Sequence, residues 1–249
     1  MARRAAAVSG HSKWANIKRR KAVVDAQKGR VFSRLAREIT VAARQGGPNP
    51  DANFRLATAV ERARAENLPS ANIERAIARG AGGAEGVEYE ELQYEGYGPG
   101  GVAILALCMT DNRNRTAAEV RHVFTRRGGA LGEAGCVAWM FRHRAQVRVR
   151  ARDEEELLLT AADVGAEDVE ADEDGQFSVY ARPEDLESLR AGLKAAGVDV
   201  VSAGFTYEPT MKVPVPEAEQ DKLLGLLDAL DEQDDIQDVF TNADFGEDA

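Results

Sequence analysis

Lys18-Arg19-Arg20-Lys21 sets four cations on consecutive residues, which repel one another unless a polyanion is near. The run closes the segment that opens with His11, Lys13 and Trp14, and Lys28, Arg30, Arg34 and Arg37 follow it. Ammonium and guanidinium groups at this density suit phosphates, because each neutralised phosphate releases a counterion whatever the base sequence. Trp14 can stack on a base or anchor a small helical core whose other aromatic bulk is Phe32 and Phe54. A localisation signal accounts for residues 18–21 but not for the arginines beyond them. A membrane-surface helix needs a bulkier apolar face than the alanine-rich one found here.

A second basic feature is Asp111-Asn112-Arg113-Asn114-Arg115-Thr116, between an apolar strand and a helix start. Asn114 or Asp111 is expected to cap that helix. Arg113 and Arg115 oppose the positive end of its dipole, which suggests an anionic partner. Gly96-Tyr97-Gly98-Pro99-Gly100-Gly101 matches G-x-G-x-x-G, but a β-branched strand follows instead of the helix a dinucleotide site requires. It therefore reads as a strand-joining turn. The acidic pairs in 153–174 read as hydrated helix starts and turns, without a pocket to shift their pKa values. His11, His122 and His143 are scattered, and Cys108 and Cys136 offer neither a disulfide framework nor zinc spacing. No enzyme activity, cofactor, metal or small-molecule substrate is expected, the remaining alternative being a ligand-sensing module or an enzyme built on the α+β domains. The longest apolar run, Val102–Met109, is far below the roughly 20 residues of a membrane helix, so no membrane partner is expected either. A reducing, cytoplasmic location fits the cysteines.

The whole chain of 249 residues carries a formal charge of −10, which alone argues against nucleic acid. The charge is unevenly distributed. Residues 1–80 hold 17 Lys+Arg against 6 Asp+Glu, and residues 111–152 hold 10 against 3. Residues 81–110 hold 5 acids and no cation, and residues 153–249 hold 28 acids against 5 cations. A basic head and a basic middle stretch are thus outweighed by an acidic tail, and each segment has to be read separately.

The elements that position these residues follow from periodicity. At 100° per residue, Phe32, Leu35, Ala36, Ile39 and Ala43 share one side of a helix over 29–44, and Arg30, Arg34, Arg37 and Arg44 share the other. Gly46-Gly47-Pro48 stops it. A second helix is predicted over 52–66, capped by Asp51, and a short third one ends at Gly80, capped by Asn67 or Ser70 and carrying Arg75 and Arg79 one turn apart. After a Gly-rich linker at 81–86 the period changes. Strands are predicted at 89–94, 102–109, 168–170, 176–181, 198–207 and 236–240, with a hairpin formed by 137–141 and 146–151. Helices are predicted at 114–127, 154–164, 183–196 and 216–230. The implied class is α+β: sheets with helices on one face, after a helical head.

The quoted motifs resemble the YebC/PmpR family, which also includes the mitochondrial translational activator of cytochrome oxidase. The resemblance rests on Ser9–Lys18, Arg37–Arg44, Asn72–Ile77, Tyr94–Gly101 and Thr110–Thr116 in this order, and it covers Ser9 to the C-terminus. It implies three domains: a basic helical domain over 1–80, an α+β domain over 81–135 with 208–249, and an acidic α+β domain over 136–207 inserted into the second. It also implies a nucleic-acid-binding regulator of gene expression acting on DNA, or a translation factor acting on ribosomal RNA and the ribosome through stalling sequences such as proline runs. The candidate contacts are His11, Lys13, Trp14, Lys18, Arg19, Arg20, Lys21, Lys28, Arg30, Arg34, Arg37, Arg113 and Arg115. Family members begin with Met directly before this opening motif. Val8 stands there in this chain, so residues 1–8 are expected to be disordered or a start-site artefact, with translation beginning at Val8 in the latter case.

Overall fold

Leu35, Ile39, Ala42 and Ala43 recur at helical spacing and are buried on one side of helix α1, Asp25–Gly46. They pack against Leu56, Ala59, Val60 and Ala63 of α2 (Phe54–Ala65) and Ile73 and Ala76 of α3 (Ser70–Ala81), forming one apolar core of a three-helix domain. The computed structural model describes residues 25–82, 88–172 and 175–246, so the first eight residues and the cationic run lie outside the described residues.

The caps differ from the sequence expectation. Asn53, not Asp51, caps α2. Its Oδ1 accepts from Leu56 N at 3.0 Å while its Nδ2 donates to the carbonyls of Ala42 and Gly47, both at 2.8 Å. Asn53 is buried, and its amide supplies both the donor that two stranded carbonyls need and the acceptor that the helix start needs; a carboxylate could only accept. Pro69 stands at the N-cap of α3 without a side-chain bond, and Asn67 turns the chain there at φ 61°.

The remaining chain forms two four-stranded sheets. The first has β1 (Glu90–Tyr97), β2 (Ala103–Thr110), β3 (Ala130–Leu131) and β9 (Ile236–Thr241) in the order β3-β1-β2-β9, all antiparallel. The second has β4 (Phe141–Arg150), β5 (Asp168–Ala171), β6 (Phe177–Ala181) and β7 (Asp199–Pro209) in the order β5-β6-β4-β7. A small parallel pair, β8 (Val213–Pro214) and β10 (Ala243–Asp244), completes the strands. The first sheet packs Ile104, Ala106 and Cys108 against Val120 and Phe124 of α4 (Arg113–Arg126) and Leu223, Leu226, Leu227 and Leu230 of α7 (Glu217–Asp231). The second packs Val147, Val149 and Val179 against Leu157 and Ala161 of α5 (Glu154–Asp163) and Leu189 and Leu193 of α6 (Leu186–Ala195). The fold is α+β with a helical domain first and one sheet domain interrupting the other in sequence: β9 returns after β4–β7 to pair with β2.

The predicted hairpin over 137–151 is instead a 3-10 turn at Ala138–Met140 followed by one continuous strand, β4. Arg142, His143 and Arg144 interrupt the apolar pattern without breaking the strand, because Arg144, 4% exposed, is neutralised by Glu208 at 2.7 Å. The Gly-rich match is a turn between antiparallel β1 and β2: Gly98 N donates to Val102 O at 2.9 Å, and Gly100 and Gly101 take φ of 78° and 75°. Those angles admit glycine far more readily than any residue with a Cβ.

By density of internal packing the chain divides into two units. One takes in 90–141 and 209–246 with the first turns of α1 up to Arg30. The other takes in 31–82 with 88–89 and 142–208. Within the second unit Glu61 of α2 accepts from Arg190 and Lys194 of α6, and the Arg190 guanidinium lies 5.5 Å from the Phe54 ring centroid. Burial pushes the Glu61 carboxyl up, but these two cations outweigh it and leave its pKa below the ordinary value.

Candidate nucleic-acid interface

Among the candidate contacts, His11, Lys13, Trp14, Lys18, Arg19, Arg20 and Lys21 lie outside the described residues. Lys28, Arg30, Arg34 and Arg37 lie on α1; the spacing puts the three arginines opposite Leu35, Ile39 and Ala42, whereas Lys28, seven residues before Leu35, lies on the side of those buried residues. Lys28 is exposed, Arg30, Arg34 and Arg37 are half-buried, and the Arg34 Nε is itself buried. Arg30 Nη1 donates to the carbonyl of Glu232 at 3.4 Å within the first unit. The Arg37 guanidinium lies 5.3 Å from the Tyr89 ring centroid, a contact that orients its planar face without neutralising its charge.

Beside this face, α1 and α3 bound an open groove of about 230 Å³. Phe32, Ala36 and Ala76 line it with Asn72, Arg75 and Arg79. Arg75 Nε donates to Ala71 O at 3.1 Å and its guanidinium also bonds the Asn72 side chain, so the head group is held over the helix start. The helical domain therefore adds Arg75 and Arg79 to the cations of α1, on a second helix that closes the same groove. The pairing of Arg75 with Arg79 was visible in their spacing; its proximity to Phe32 depends on how α1 and α3 pack.

Arg113 and Arg115 have unlike surroundings. Arg113 is exposed at the start of α4, and its carbonyl accepts from Tyr94 Oη at 3.4 Å. Arg115 is engaged: its Nη2 lies 2.8 Å from both Asp111 Oδ1 and Asp235 Oδ2. Hydrogen bonds first to Asp235 and then to Asp111 raise its pKa still further. Asp235, 5% exposed, also accepts from Thr116 Oγ1 at 2.6 Å and Thr110 Oγ1 at 3.1 Å. Asn112 caps the helix by accepting from Arg115 N at 3.1 Å, where Asn114 or Asp111 was expected. The dipole conflict that suggested an external anion is thus met from inside by Asp235, 120 residues away in sequence. The Asp-rich run around residue 235 looks like a hydrated stretch, and no local pattern marks one member of it as buried.

Three arginines of β4 are likewise committed. Arg144 pairs with Glu208, Arg148 with Asp172 at 3.1 Å and Arg150 with Asp199 at 3.4 Å, all within the second sheet domain. Among the described residues, four of the ten cations in 111–152, Arg115, Arg144, Arg148 and Arg150, pair with acids of the tail. Among the described residues no group of three or more His, Cys, Asp or Glu side chains is placed to hold a metal ion, and no helix is long and apolar enough to cross a membrane.

Residues 12–83 match the model of the TACO1/YebC protein N-terminal domain, and residues 89–243 match that of the TACO1/YebC second and third domain. The chain belongs to the TACO1/YebC family. A relative from Desulfitobacterium hafniense is 49% identical over 245 residues, covering 96% of this chain and 97% of its own. One from Desulfatibacillum aliphaticivorans is 50% identical over 244 residues, covering 97% and 98%. Each bears the name "Probable transcriptional regulatory protein". The crystal structure of a conserved hypothetical protein from Aquifex aeolicus superposes with a TM-score of 0.86 at 50% identity, covering 95% of this chain and 98% of that one. These matches place the chain in a family of regulators and agree with the three-domain α+β fold.

Proposed function

We propose that this protein is a cytoplasmic, nucleic-acid-binding regulator of gene expression whose helical domain is the electrostatic anchor. The observation that carries this reading is the two-sided α1: Leu35, Ile39 and Ala42 are buried on one side and Arg30, Arg34 and Arg37 stand at the opposite spacing, while Arg75 and Arg79 edge a groove between α1 and α3. His11, Lys13, Trp14, Lys18, Arg19, Arg20 and Lys21, which precede the helix in the sequence, are proposed contacts of the same nucleic acid. Arg113 adds a second contact. Arg115 serves the reading by fixing the turn from which Arg113 projects. The acidic sheet domains repel nucleic acid and so restrict contact to the basic surface.

Phosphate contacts alone do not distinguish DNA from ribosomal RNA. Two measurements on the same preparation separate them. A DNA-directed regulator protects a defined promoter from nuclease and holds it at salt concentrations that release random duplex. A ribosome-directed factor co-sediments with ribosomes and leaves promoters unprotected. Failure of both would refute the proposed function.

A further inference from the structure

Arg62, Arg115, Arg144, Arg148, Arg150 and Arg190 each pair with an Asp or Glu. Among the described residues, neither Arg75 nor Arg79 of α3 pairs with an acid; Arg75 holds only Ala71 O and the Asn72 side chain. Both residues are exposed and line the groove between α1 and α3. No acid lines it with them: the rest of the lining is Phe32, Ser33 and Ala36 of α1 with Asn72 and Ala76 of α3. The groove is built into the domain. Buried Thr40 places its Oγ1 2.8 Å from Ala36 O and 3.2 Å from Ala76 O, donating its one proton between the two helices. Phe32 and Ala36 also pack against the helical core, which fixes where they stand.

Two guanidiniums without an internal counter-charge require an anion, and guanidinium suits phosphate. A bare anion would use those two groups and leave Phe32, Ala36 and Ala76 in water. A ligand that uses the whole lining carries an apolar planar face beside a phosphate, which is the make-up of a nucleotide. Asn72 Oδ1 already accepts from Arg75, so the group Asn72 offers is its amide donor, which suits a carbonyl or phosphate oxygen. Arg75 is held in place by its two bonds, which lowers the ordering cost of binding. At about 230 Å³ the groove lies below the roughly 300–1,000 Å³ of sites for whole drug-sized ligands, so it takes one base and not a stack of them. Bases inside a duplex have their faces covered by their neighbours, whereas those of a single strand or a loop can be splayed out against a side chain.

We infer that the groove between α1 and α3 takes one unpaired nucleotide, its base against Phe32 and its phosphate on Arg75 and Arg79, so that the helical domain prefers single-stranded nucleic acid to duplex. This deepens the proposed nucleic-acid reading and rests on it. The probes are fluorescein-labelled oligo(dT) of about 12 nucleotides and the oligo(dA)·oligo(dT) duplex of equal length, each titrated with the full chain. Phe32→Leu keeps apolar bulk on the core and removes the ring. It should bind oligo(dT) about tenfold more weakly and the duplex within about twofold of the parent. Arg75→Gln combined with Arg79→Gln should lower the slope of log K against log[salt] for oligo(dT) by about 1.4. A second measurement needs no variant: oligo(dT) carrying 5-bromouracil is cross-linked to the native chain by ultraviolet light, and mass spectrometry reads the attachment site, expected within 31–36 or 72–79. Cross-links confined to other segments overturn the groove assignment while leaving nucleic-acid binding intact. So does Phe32→Leu binding oligo(dT) within about twofold of the parent, or losing both probes equally. A parent chain that binds neither probe overturns both readings.

Discussion

Replacing Asp235 by Asn tests whether the turn before α4 is built around one buried charge. Asp235 accepts from Arg115, Thr116 and Thr110 at 2.8, 2.6 and 3.1 Å, and only 7% of its side chain is exposed. A hydrogen bond to a charged group contributes about 1.5–3 kcal/mol, against about 1 kcal/mol for a neutral one. The three losses do not simply add. Arg115 is 44% exposed and keeps Asp111, so its share falls to about 1 kcal/mol. Thr116 Oγ1 keeps Asn112 O at 3.1 Å and Thr110 Oγ1 still accepts from Asn112 N at 2.9 Å, which softens both hydroxyl terms. The expected cost is about 3 kcal/mol, or a Tm lower by roughly 6–12 °C at this chain length. Asp111→Asn removes only the exposed partner and should cost less than about 1 kcal/mol. Thermal melts followed by circular dichroism compare the two. Equal, small shifts would refute the assignment of Asp235 as the organising charge.

Asn53→Ala removes the cap of α2 and strands the carbonyls of Ala42 and Gly47 together. It should destabilise the helical domain by about 2–3 kcal/mol, read as faster amide exchange across α1–α3 while the sheets stay protected. Glu95 is buried and clamps a turn by accepting from the backbone N–H of Gly135, Val137 and Ala138. Burial pushes its carboxyl up, but these donors outweigh it and leave the folded pKa below the unfolded value of 4.5, so its contribution is complete above that value and is lost as the pH falls through the folded pKa. The stability gap between the native chain and Glu95→Gln should therefore be largest near neutrality and narrow from pH 5 downward. A gap that widens on acidification would contradict the clamp.

The legible parts were those whose signal is local. The faces of α1, α2 and α4 followed from spacing, because a helix buries a stripe regardless of what it packs on. The Gly-rich turn was readable because a β-branched strand follows it. Caps were misplaced by one or two residues since Asp51, Asn53, Asp111 and Asn112 are all good cap types. The choice between them depends on which side chain is buried, and only Asn53 faces two orphan carbonyls. Asp235 and Glu95 were not legible. Asp235 and Glu95 meet partners 40 or more residues away, and each acid lies in an acidic stretch that looks solvated. The partners of Arg115, Arg144 and Arg148 are supplied by the acidic tail, which no local pattern in 111–152 shows.

The central claim is that the arginine face of α1 meets phosphates. The most direct measurement is the salt dependence of binding for the native chain and for the triple variant Arg30→Glu, Arg34→Glu, Arg37→Glu, with helicity checked by circular dichroism. Each lost phosphate contact lowers the slope of log K against log[salt] by about 0.9 on duplex and about 0.7 on single strands. The account predicts a slope reduced by about two to three and binding lost at physiological salt, with helix content unchanged. An unaltered slope and affinity in the folded variant would contradict it.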